Sequence, residues 1–481
     1  MTKYIFIKEL KEAITNFKFV LLMLFSVTLI PLSLYLSYHH FQLRQQIYEM
    51  DNVNYQYISK GQIGYSTPDF VAEGYRVPLM ENVLSNASVS LLPYKVTTSR
   101  EGYTIENESV SDDYLTVLFG FLDIPYLVTC ILSLLSLFAS YNLINREVEE
   151  GTLKMILSNP VPRHQVLFAK LASHYLLFVL PVILGFCMGL LLIGTGVQTS
   201  SFIQTAGMNL LVILLFFLVF FTMGILSSVY FKQSSRAIIV LLSVWLFFAL
   251  IIPKTAPIIA SLTVPVMSED NFIRERDMAI QNFSEEMKNE GKNLAGTVFP
   301  GKTVNEIVST PRDNELRILY ETEMEKLTVR LTEEKNMFIK NMEQTYLNRM
   351  EQRDRVAKYI SVISPISCCN YMLNEINRAG YSQVVHFYTQ ADEFQKQVKR
   401  EIYDNYISKN YYSAVEDGQY TQGSVVDGFR PNQVTVPQFV CQPESIRGTI
   451  YSIRIELLLL TGYLLLFFIL AYFGFLKMNV Y

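Results

Sequence analysis

Apolar positions along this chain are gathered into blocks. Six runs, residues 19–38, 124–144, 171–197, 208–231, 237–252 and 455–476, hold a single charged residue between them, Glu456. A helix of about 20 residues crosses a ~30 Å hydrocarbon core, so these runs predict six transmembrane helices, the fifth continuing towards Val266. Residues 124–144 contain eleven Leu, Ile, Val or Phe. At roughly −0.3 to −0.6 kcal/mol each, they favour insertion by about 3–6 kcal/mol, with no charge in opposition.

Outside the runs the periodicity changes. Leu316, Tyr320, Met324, Leu327, Leu331, Phe338, Met342 and Tyr346 recur at spacings of three, four or seven. This predicts one stripe of a long helix, with Thr310-Pro311 and Asp313 as its start. Residues 267–293 and 382–408 predict weaker helices of the same character. Residues 88–94 and 103–105 alternate and predict short strands. The fold class expected is therefore an all-α polytopic membrane protein. Its six transmembrane helices carry a large, mainly helical extracytoplasmic insertion between spans five and six, and a smaller mixed one between spans one and two.

Composition agrees: half of the 481 residues are hydrophobic and only 17% are charged, below the ~25% usual in soluble domains. A formal net charge of −4 gives no sign of a nucleic-acid partner. Lys and Arg set the orientation. Lys3, Lys8, Lys11 and Lys18 precede the first run, Arg146, Lys154, Arg163 and Lys170 follow the second, Lys232 and Arg236 follow the fourth, and Lys477 follows the sixth. The short connection at residues 198–205 has none. Both termini are expected to be cytoplasmic in a bacterial inner membrane. The first run is expected to be an uncleaved span, since Pro31 interrupts it and no small-residue cleavage site follows. The resulting division is residues 1–38, arm and first span; 39–113, extracytoplasmic; 114–266, spans two to five with a cytoplasmic loop at 145–170; 267–451, extracytoplasmic helical domain; and 452–481, sixth span and tail.

Candidate chemistry is thin. Gly296 to Thr303 fits the G-x-x-x-x-G-K-[ST] phosphate loop, but charged, helix-like residues 284–293 precede it where that loop needs a buried strand. Nucleotide binding by this chain is not expected, and no metal or cofactor either. The five His form no H-E-x-x-H motif, and His39-His40 read as interfacial anchors. Cys130 and Cys187 lie within spans. Cys368, Cys369 and Cys441 fall on the expected oxidising side, so a disulfide from Cys441 to one of the vicinal pair is a candidate, with a copper thiolate site as the weaker reading. A lone acid deep in lipid is costly, so Asp123 is expected at the outer interface, the alternative being a carboxylate lining a substrate path.

Residues 145–170, NREVEEGTLKMILSNPVPRHQVLFAK, are the most informative stretch. A helix is expected over 148–157, its start loaded with Glu147, Glu149 and Glu150, where carboxylates suit the helix dipole. Pro160 and Pro162 end it. Leu153, Ile156 and Leu157 face the bilayer, and the acids and Lys154 face the cytosol.

The string E-x-E-E-G-T-L-K-x-I-L-S-N-P-V-P-R-x-x-x-L-x-x-K resembles the first cytoplasmic loop of type-2 ABC exporter permeases. It is most similar to the branch associated with multi-copper enzyme (nitrous-oxide reductase) maturation. L-D-I-P before span two, W-x7-P at Trp245 and Pro253, and Ser364-Pro365 are weaker matches, and Ala169 replaces the family's usual Gly. The resemblance implies a permease subunit without its own ATPase site, exporting a substrate on ATP and Mg2+ bound by a cytoplasmic ABC ATPase dimer. It also implies pairing with a second copy or a sibling. Glu147, Glu149, Glu150, Gly151, Thr152, Leu153, Pro160 and Arg163 would couple to that ATPase. The alternative function is mechanotransmission to an extracytoplasmic partner without transport.

Overall fold

The computed structural model describes residues 2–15, 17–61, 72–89, 92–98, 103–107, 122–158, 161–194, 200–301, 306, 314–401, 437–439, 441 and 446–478. Among them, six helices are long and apolar enough to span a membrane: Phe17–Asn52, Ile124–Glu149, Arg163–Ile193, Ser200–Tyr230, Ser234–Thr263 and Arg454–Lys477. Each overlaps one of the six apolar runs, and the protein is a multi-pass membrane protein. The amino-terminal arm, expected only as a charged lead-in, is itself a helix, α1 (Thr2–Ile14).

The chain forms two compact units, Met1–Thr255 with Tyr359–Tyr481, and Ala256–Lys358. In the first, span four is the most enclosed, with Phe216, Phe217, Phe220 and Phe221 all buried. Phe178 of span three packs edge-on against Phe217 and Phe221, at 5.1 Å in each case. Spans one and three approach closely at Gly185, where a Cβ would lie 2.3 Å from the Ser26 carbonyl oxygen, so no larger residue fits. Span two runs through a wide π turn at Leu127–Leu132, and span five through another at Phe247–Ile251. The carbonyl of Phe248 in the second is met by Ser364 Oγ at 2.7 Å. Buried Ser133, Ser136 and Ser140 of span two bond back to carbonyls of their own helix. Trp245 Nε1 of span five donates to Ser133 Oγ at 2.9 Å, tying the two spans together.

Between spans one and two lies an antiparallel sheet, β1 (Ala72–Tyr75), β2 (Pro93–Thr98) and β3 (Tyr103–Asn107), with Val96 opposite Gly74 and Ile105. The strand expected over 88–94 starts only at Pro93, and Asn86–Val89 is a helical turn instead. Val89 and Leu92 are both buried at a spacing of three, and Leu92 N donates to Val89 O. Burial of that pair overrides the apparent alternation.

Residues 145–149 form α2 (Asn145–Glu149) and 152–158 form α3 (Thr152–Ser158). In the second unit α4 (Glu269–Val298) and α5 (Glu315–Ser361) pair antiparallel. Phe272 stacks on Tyr346 at 4.2 Å, Phe283 meets Phe338 at 5.9 Å and Phe299 meets Tyr320 at 6.2 Å. These contacts use the predicted stripe, although Leu316 at its start is exposed. The expected start at Thr310, Pro311 and Asp313 lies outside the described residues; Asn314 Oδ1 accepts from Leu316 N at 2.9 Å. Residues 296–298 of the phosphate-loop look-alike form the last turn of α4, with no strand before them, and Lys302 and Thr303 are outside the described residues.

Residues 267–451 were expected to form one helical domain, but from Tyr359 onward the chain belongs to the first unit. There α6 (Pro365–Ile376) is capped by Ser364, which accepts from Ile366 N and Ser367 N. It buries Cys368, Cys369, Met372 and Leu373. Arg378, at φ 55°, breaks the helix before α7 (Tyr381–Val398). On α7, Phe387, Ala391, Phe394 and Val398 form one buried face that packs with Ala72 and Val96 of the sheet.

The cysteine pairing is corrected here. Cys369 sits in the core of the membrane helices, Cys441 packs against the sheet cluster, and all five cysteines are free thiols. Cys368 Sγ donates to the Val362 carbonyl.

Candidate functional site

Span two ends at a turn over residues 141–144, and the way the chain leaves it fixes everything downstream. Ser228, near the end of span four, accepts from Ile144 N at 2.8 Å and Asn145 N at 3.0 Å. These are amides at a helix start with no intrahelical partner. The helix expected over 148–157 is in fact two, α2 and α3. Gly151 separates them at φ +71°, a left-handed conformation that glycine adopts without steric cost.

The inner side of this segment is apolar. Leu153 is fully buried with Ile144, Val166, Leu167, Ile225, Val229 and Phe475, and Ile156 and Leu157 pack on the same cluster. The other side is open. Arg146, Glu149, Glu150, Gly151, Lys154 and Ser158 are exposed, and Met155 is 71% exposed.

The charged residues anchor the segment to other helices. Glu149 accepts from Ser234 N at 2.7 Å and Ser234 Oγ at 2.9 Å, closing the first turn of span five. Arg163 Nη1 donates to the carbonyls of Leu476 at 2.8 Å, Met478 at 3.1 Å and Phe475 at 3.4 Å, capping span six. Lys170 of span three is only 2% exposed and donates to Glu147 Oε1 at 2.7 Å and Glu9 Oε1 of α1 at 2.8 Å. His174 Nε2 lies 4.0 Å from Glu9 Oε2. Beside this cluster is a cavity of about 260 Å³ lined by Lys8, Glu12, Lys18, Asn142, Arg146 and Phe178. Glu150 pairs with Arg146 at 2.8 Å at the surface, and Thr152 Oγ1 reaches the Glu147 carbonyl at 3.4 Å.

The structure thus brings together Glu147, Glu149, Glu150, Gly151, Thr152, Leu153 and Arg163; Pro160 lies outside the described residues. Asp123 is elsewhere, 3% exposed at the start of span two, where its carboxylate accepts from Tyr126 N at 3.0 Å as a helix cap. Sequence reasoning missed Ser228, Ser234 and Glu9, and used Lys170 only as an orientation signal and as the last residue of the family-like string. Two acids among the lysines of an amino-terminal arm, and a lysine at the mouth of an apolar run, were the available clues.

Six membrane-length helices, with a folded charged segment bonded to several of them at one end, define a multi-pass membrane protein. The family of ABC-2 family transporter proteins matches residues 4–480, and the chain belongs to it. It is similar to the probable ABC transporter permease protein NosY of Stutzerimonas stutzeri, 29% identical over 163 residues. That match covers 32% of this chain and 57% of the relative, so the chain spans little more than half the length of the relative it matches. The protein is a multi-pass membrane member of the ABC-2 transporter family.

Proposed function

We propose that this permease exports its substrate using ATP and Mg2+ bound by a separate cytoplasmic ATPase dimer, which docks on the exposed side of α2 and α3. One observation carries the reading. The same short segment that offers Glu150, Lys154 and Met155 outward is bonded through Glu149 to the start of span five and through Glu147 to span three, whose first residue, Arg163, in turn caps span six. A push on its open face would therefore reach several spans at once. The Lys and Arg bias supports a cytoplasmic position for this segment and both termini, in the inner membrane of a bacterial cell. Two permease chains, identical or sibling, would complete the transporter.

A photo-crosslinker at Met155 tests this. The expected product joins the permease to a cytosolic ABC ATPase. Absence of that product, together with labelling of Met155→Cys from outside intact cells, would overturn the reading. The compact unit Ala256–Lys358, held by its own aromatic contacts, favours a second reading in which ATP-driven motion acts on an extracytoplasmic partner. Export of no compound by a complex that still cycles with nucleotide would select it.

A further inference from the structure

Among the described residues, Lys170 is the one buried cation that touches two other pieces of this site, and its two partners come from different directions. Glu147 belongs to α2, Glu9 belongs to α1, and Lys170 opens the apolar part of span three. A charge so enclosed is costly unless its donors are satisfied, and removing either partner leaves an uncompensated ion. The contacts of α1 confirm where it belongs, for it packs along span three, and Glu9 is its buried acid. His174, one turn further along span three, faces Glu9 at 4.0 Å and bonds to the Lys170 carbonyl at 3.1 Å through Nδ1.

We propose that Lys170 is a positioning residue that clamps α1 to the 145–158 segment, so that α1 travels with it as a third moving part of the transmission. The inference rests on the reading of that segment as the ATPase dock. The clamp has two halves, Glu9–Lys170 and Lys170–Glu147, and the first ties the buried acid of α1 to span three. Without it, α1 keeps its apolar packing but loses its fixed register on span three.

The test uses the full-length permease with its ATPase in lipid nanodiscs. Spin labels go at Lys11→Cys and His164→Cys, both exposed, in a Cys187→Ser background that removes the exposed native thiol. The unmutated clamp should give one narrow distance, unchanged by a non-hydrolysable ATP analogue. Glu9→Gln, which keeps the shape, should broaden that distance at least twofold and reduce permease-dependent stimulation of ATP turnover about tenfold, with ATPase capture retained. Lys170→Arg alone should keep part of both the narrow distance and the stimulation, whereas Lys170→Met alone should lose both. An unbroadened distance in Glu9→Gln with normal stimulation overturns the clamp. The distance arm is read in the permease alone as well. If the wild-type protein captures no ATPase, the docking reading fails and the broadening still decides the clamp.

Discussion

Glu149 accepts two hydrogen bonds from Ser234, one from its amide at 2.7 Å and one from its hydroxyl at 2.9 Å. The two residues are 85 apart in sequence. The bond makes the first turn of span five depend on the segment that follows span two. A carboxylate there satisfies exposed amides and meets the positive end of the helix dipole.

The neighbouring acids should therefore behave differently. Glu149→Ala should destabilise the start of span five by about 1–2 kcal/mol, as loss of a cap does. Glu150→Ala, losing a solvent-exposed pair with Arg146, should cost under about 0.5 kcal/mol. Hydrogen exchange over residues 234–238 checks this. Faster exchange in the first variant only is expected, and equal exchange in both would contradict the assignment.

Arg163→Ala should fray span six. Three carbonyls, those of Phe475, Leu476 and Met478, lose their donor, worth about 1–2 kcal/mol together. Limited proteolysis near residue 477 should become faster. Lys, lacking the planar fork, should recover only part of the protection.

Gly151 should tolerate Asn better than Ala or Val. Its φ of +71° costs an ordinary L-residue about 1–2 kcal/mol, and no neighbouring atom lies near enough to add a clash. Thermal unfolding in micelles should rank Gly above Asn, then Ala, then Val.

Trp245 is the only tryptophan in the chain, so its fluorescence reports on the contact with Ser133 directly. Ser133→Ala removes the indole's acceptor at 2.9 Å, at a cost of about 1 kcal/mol. The emission maximum should move to shorter wavelength. An unshifted spectrum would mean that spans two and five are not joined there.

Cys441 should resist thiol reagents in the folded protein. Burial pushes its thiol up to about 11. The thiolate is the reactive form, so modification at pH 7.5 should be slow until the protein is unfolded. Mass spectrometry without reductant should find Cys368, Cys369 and Cys441 unlinked.

Much of this protein is legible from its sequence, and the reason is local. Uncharged runs of membrane length are decided by transfer energies summed along the chain, so all six spans follow without any knowledge of packing. The stripe from Tyr320 to Tyr346 and the charged character of residues 145–170 are equally local, since helical periodicity requires only neighbours three and four apart.

Tertiary structure decided the rest, because it concerns which distant groups complete one another. Nothing along the chain tells Glu149 that its donors lie at Ser234, or Glu9 that it shares Lys170 with Glu147. The split of α2 from α3 at Gly151, the separation of Cys441 from Cys369 and the packing of α6 against the membrane helices are likewise packing outcomes. Buried polar groups must find partners wherever the fold brings them, and that requirement is met across the bundle.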